Sequence, residues 1–152
     1  MKIMRKPVIN ASVIAVISIF YSIVFVVTSG HIELERMLNH KQTLSSGFWN
    51  GWSVFLKEGN MKYIGFIYIV LALIIVILSV IRSKNYDEYQ ISVLVKSFIV
   101  AGAVMVFLFP LAFLLILSDP NYSIEFMMFL VVAHWSVLLI ADLFFVIRCG
   151  KN

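Results

Sequence analysis

The sequence predicts an all-α integral membrane protein: a bundle of four transmembrane helices with an amphipathic interfacial helix in its first outer loop. Three observations predict it. Apolar runs from Val8 to Thr28, Tyr63 to Ile81, Ser97 to Ser118 and Phe126 to Ile147 are each long enough to cross a hydrocarbon core of roughly 30 Å at about 1.5 Å per helical residue. The chain is 62% hydrophobic and 13% charged, with a mean hydropathy of +1.00, where soluble domains carry about a quarter charged residues. Aromatic residues recur at helical spacing in the first loop, outside any span.

The spans are placed at about 8–28, 63–81, 93–118 and 125–147, with an outer loop over 30–61. The 152 residues are expected to form one membrane domain without a separate soluble module. The first run follows Lys2, Arg5 and Lys6 like a leader, yet its 21 residues exceed the 7 to 15 or so of a signal-peptide core. It is read as a retained helix, with Ser18, Tyr21 and Ser22 turned toward neighbours.

Basic residues orient the chain. Lys2, Arg5, Lys6, Arg82, Lys84, Arg148 and Lys151 fall on one side, against Arg36, Lys41, Lys57 and Lys62 on the other. The positive-inside rule then puts both termini in the cytoplasm. The net charge of +4 is spread along the chain rather than gathered in a patch, so nucleic acid is not an expected partner. Lysine outnumbers arginine and isoleucine is frequent, a composition that suggests a bacterium and hence its cell membrane.

In the first loop, 31–42 carries Glu33 and Glu35 early and Arg36, His40 and Lys41 late, an order that suits the helix dipole of a short surface helix. His31 and Glu35 could share a metal at four-residue spacing, but no further ligand is near, so a solvated face is the better reading. In 45–59, Phe48, Trp49, Trp52 and Phe55 repeat at helical spacing, with Asn50, Ser53 and Lys57 opposite and Ser45 or Ser46 as N-cap. Such a helix is expected along the outer membrane boundary, where indoles are enriched. Docking onto a partner or over the bundle is the alternative.

Polar groups inside the spans are the candidate site. Lys96 and Asp142 lie about 7.5 and 9 Å from the cytoplasmic ends of their helices by the helical rise, each opposed by its own macrodipole. A cross-helix ion pair is the expected relief of the insertion cost; the alternatives are Lys96 snorkelling to the headgroups and a protonated Asp142. Tyr21, Ser22, His134 and the Val106 carbonyl that Pro110 deprives of its donor share a depth near 20 Å by the same arithmetic. A proton relay and a hydrogen-bonded structural cluster both fit them. Trp135 and Asp142, seven apart, mark the interior face of the fourth helix.

Catalytic signatures, a P-loop and dinucleotide-binding glycines are absent, and three histidines with one cysteine offer little metal capacity. Cys149 sits beside Arg148 in a juxtamembrane context that palmitoylation uses, and reads first as a free thiol. No cofactor, metal or internal repeat is expected. The expectation is a non-catalytic accessory, immunity-type or regulatory protein acting through the lipid bilayer, a membrane-protein partner or copies of itself. The alternative is a small transporter or channel subunit using His134 and the Lys96/Asp142 pair.

Overall fold

The computed structural model describes residues 5–38, 46–81 and 85–149. Every regular element among them is helical: α1 Pro7–Thr28, α2 Ile32–Met37, α3 Gly47–Lys57, α4 Met61–Ile81, α5 Glu88–Ser118 and α6 Ser123–Cys149. A 3-10 turn, Pro120–Tyr122, leads into α6. The helices α1, α4, α5 and α6 are long and apolar enough to cross a membrane.

Local chemistry sets the ends. Pro7 opens α1, where its fixed φ and missing N–H cost nothing. His31 caps α2 by accepting from the Glu33 N–H, and α2 buries none of its residues. The Ser46 hydroxyl caps α3 by accepting from the Trp49 N–H. Asp87 and Gln90 form a reciprocal capping box at the head of α5. That box carries α5 five residues beyond the expected start at 93, because hydrogen bonding continues past the end of the apolar run. Pro110 lies within α5 and does not end it. The expected contributions of Lys2, His40, Lys41, Ser45, Arg82, Lys84 and Lys151 fall outside the described residues.

The long helices pack as two antiparallel pairs. In the first, α1 lies along α4: Phe25 meets Gly65, where an added Cβ would stand 3.5 Å from the Phe25 Cβ. Ser29 Oγ donates to the Gly59 carbonyl and ties the end of α1 to the turn before α4. In the second, α5 lies along α6 with Ala101 and Ala112 buried. Contacts of α6 with α4 and α1 join the pairs. Outward faces remain apolar, with Val16, Ile67, Phe107 and Leu117 all more than 60% exposed, the surface expected of helices solvated by lipid.

Gly59 has φ of 69°, and a Cβ there would lie 3.3 Å from the Gly30 nitrogen. Left-handed backbone costs a non-glycine residue about 1 to 2 kcal/mol, and the close approach adds to it. Gly59→Ala is therefore expected to lower the unfolding midpoint in detergent. Gly102→Ala, in open space within α5, should leave the midpoint unchanged or raise it. Equal effects of the two would contradict the turn geometry.

Candidate functional site: a polar seam along α6

The polar side chains of α6 close onto other helices one after another. Near its end, Asp142 is 1% exposed, and its Oδ1 accepts from Asn10 Nδ2 of α1 at 2.7 Å. Further up, the Trp135 indole N–H donates to Ser18 Oγ at 3.2 Å. Beside it, the Tyr21 hydroxyl and His134 Nδ1 are 2.5 Å apart. On the other flank, the Tyr68 hydroxyl of α4 and Ser136 Oγ are 2.6 Å apart. The residue numbers on α1 fall as those on α6 rise, so the seam follows one line of the antiparallel α1–α6 contact.

Trp135 is the pivot. It is fully buried, and its ring lies 4.9 Å from Tyr68, 5.5 Å from Phe25 and 5.7 Å from Tyr21 between centroids. One side chain thus gathers α1 and α4 onto α6. Such aromatic contacts contribute about 0.5 to 1.5 kcal/mol each beyond area. Interhelical hydrogen bonds in membranes average about 0.6 kcal/mol.

The expected Lys96/Asp142 ion pair is not formed. Lys96 is exposed on α5, whereas Asp142 is buried against Asn10. The azimuth rules it out: Lys96 follows the buried Leu94 by two residues, about 200° around a helix of 3.6 residues per turn. The Asp142 Oδ2 has no hydrogen-bond partner among the described residues. Tyr21 and His134 do meet. Ser22 does not join them, since its Oγ donates to the Ser18 carbonyl within α1 at 2.6 Å. Val106, 70% exposed on α5, is not brought to the cluster either.

At the opposite end of the seam, near the start of α6, lies a contact that the sequence reading does not contain. Glu125, fully buried in the first turn of α6, accepts from Ser53 Oγ at 2.8 Å, while the Trp52 indole donates to its carbonyl at 3.0 Å. The amide dipoles at a helix start favour a carboxylate there. Asn50 Oδ1 accepts from the Tyr122 hydroxyl at 2.5 Å. So Asn50 and Ser53, expected on the side of α3 opposite its aromatic residues, face the protein. The aromatic residues divide: Trp49 packs edge-on to Phe126 with centroids 4.5 Å apart, Trp52 stacks on Phe55 at 5.5 Å, and Phe48 stays 58% exposed.

These groups bind one another more than they line a chamber. An indole is a donor only, so the Trp135–Ser18 step breaks any direct donor–acceptor chain from His134 to Asp142. No cluster of three or more metal-ligating side chains occurs among the described residues. Alongside the seam, an apolar groove of about 570 Å³ runs between α1 and α5, lined by Ile9, Asn10, Val13, Leu94 and Phe98 among others. No family model, curated protein or solved structure matches this chain.

Removing the Asn10 donor should expose the worth of the Asp142 contact. Asn10→Ala is expected to destabilise by about 1 to 3 kcal/mol, the usual cost of a buried polar group left unmade. Lys96→Met should change stability by no more than about 0.5 kcal/mol, as exposed positions do. Denaturant unfolding in mild detergent reads both, and the reverse order would restore the Lys96 pairing.

Proposed function

We propose that this is a non-catalytic accessory or regulatory protein of a bacterial cell membrane, a four-helix bundle acting through contacts of its outward faces. The observation that carries the reading is the division of polarity. Polar side chains of α1, α4 and α6 bond each other across the interior, while the groove between α1 and α5 has almost wholly apolar walls. A transport path would instead be expected to keep polar groups facing a continuous water-filled route. On this reading both termini are cytoplasmic, by the positive-inside rule, and α3 lies along the outer boundary, a position supported by exposed Phe48 and Val54 on one side and the Ser53–Glu125 contact on the other.

Flux separates this reading from a transporter. In liposomes holding a trapped pH-sensitive dye, the protein should dissipate an imposed pH gradient no faster than protein-free vesicles. Faster decay that is lost on changing His134→Phe would establish transport and overturn the proposal.

Orientation is tested separately. In a Cys149→Ser background, single cysteines at Glu35 and Asn85 are exposed positions on opposite sides of α4. An impermeant maleimide applied to intact cells should label the first and spare the second. Labelling of Asn85 alone would invert the topology.

A further inference from the structure

A second groove, of about 540 Å³, runs between α5 and α6 on the face turned away from α1. Its volume lies within the roughly 300–1,000 Å³ of small-molecule sites. Along α5 it takes Tyr89, Val93, Lys96, Ser97 and Val100; along α6 it takes Ile140, Ala141, Phe144 and Arg148. These spacings of three, four and seven keep each set on one helix face. Ser97, Ala101 and Ala141 give the groove a small-residue floor.

Charge is concentrated at one end. The Arg148 guanidinium lies 5.8 Å from the Phe144 ring centroid and donates to the Tyr89 hydroxyl at 3.4 Å. That hydrogen bond uses one of its five N–H groups. Lys96 sits one helical stretch deeper, about 10.5 Å along α5 from Tyr89 by the rise, and its flexible stem can carry the ammonium back toward Arg148. Among the described residues, none that lines the groove is acidic. Of the neighbouring acids, Asp87 caps α5 by accepting from the Gln90 N–H at 2.7 Å, Glu88 pairs with Arg5 at 3.4 Å, and Asp142 is buried on the other side of α6 against Asn10.

We propose that this groove binds one anionic phospholipid, its phosphate held by Arg148, Lys96 and the Tyr89 hydroxyl and one acyl chain laid along Val93, Val100 and Ile140. Two cations without an acid select an anionic head over a zwitterionic one. The apolar length beyond them selects a lipid over a soluble anion. Arginine supplies the planar fork that phosphate oxygens accept from, and basic pockets between transmembrane helices are a recurrent form of lipid recognition. The inference rests on α5 and α6 crossing a bilayer, and it does not depend on which way the chain is oriented.

The test is native mass spectrometry of the full chain in detergent, titrated with phosphatidylglycerol and with phosphatidylcholine of the same chains. Phosphatidylglycerol should bind first, with one site preferred by more than tenfold. Lys96→Gln and Arg148→Gln should each reduce that preference roughly fivefold, the effect of one basic residue at a membrane surface, and together should abolish it. Lys6→Gln, an exposed cation outside the groove, should leave it intact. Equal binding of both lipids, or equal loss from Lys6→Gln and Lys96→Gln, would overturn the site while leaving the membrane reading in place. Displacement of the lipid by glycerol 3-phosphate would overturn it in favour of a soluble anion. Failure of both lipids to bind, together with a chain that stays soluble without detergent, would remove the bilayer premise as well.

Discussion

The arrangement of the long helices depends on α6 finding a hydrogen-bonding or aromatic partner at each depth. Between helices in lipid, burial of apolar surface gives little net drive, because the tails are as apolar as leucine. What distinguishes one packing from another is then close approach and the pairing of polar groups. On α6, Glu125 meets Ser53 of α3, His134 meets Tyr21 of α1, Ser136 meets Tyr68 of α4, and Asp142 meets Asn10 of α1. Trp135 fixes the angular register between them, because its ring touches α1 and α4 while its N–H is committed to Ser18. Rotating α6 by a fraction of a turn would break all of these together.

Much of this fold was legible in the chain because the strongest constraint is one-dimensional. Span length and apolarity follow from residue counts, and α1, Pro7–Thr28, coincides with its apolar run almost to the residue. Depth is legible for the same reason, and it brought Tyr21 and His134 together correctly. Azimuth is not. Lys96 and Asp142 count to similar distances from the ends of their helices, yet the helix face each occupies is set by packing between α5 and α6, which no count along the chain contains. Asn10 was overlooked because, only three residues into α1, it reads as a headgroup-level residue. Its burial, to 6% exposure, follows from the antiparallel crossing with α6.

The helix α3 shows the same division between period and phase. Helical spacing of its aromatic residues was sufficient to predict a helix, and Ser45 or Ser46 to predict its start, of which Ser46 is the cap. The spacing did not say which stripe meets protein. Ser53 and Leu56 are buried, while Phe48 and Val54 are exposed, so the polar stripe closes on Glu125 and Tyr122 as part of the packed surface. An acidic residue in the first turn of a span was the available signal, since Glu125 needs a donor from outside its own helix once it is covered.

Side-chain length accounts for the final asymmetry between acids and bases in the helices long and apolar enough to cross a membrane. A carboxylate on a one- or two-carbon stem cannot reach the headgroups from within a span, so it must be met by donors the protein supplies. Asp142 is accordingly buried with a donor from Asn10 of α1, whereas Glu125, in the first turn of α6, is buried where it meets Ser53 of α3. Lysine and arginine have stems long enough to lie along apolar surface and deliver their charge to the boundary, so they tolerate an outward face. Lys96 and Arg148 are both exposed, on the same groove. The ion pair suggested by depth alone would have required Lys96 to give up that reach for a buried carboxylate. Burying both charges carries a desolvation cost that their mutual attraction often fails to repay. A neutral amide from Asn10 meets Asp142 without bringing a second charge into the interior, and it leaves the lysine free to face the lipid.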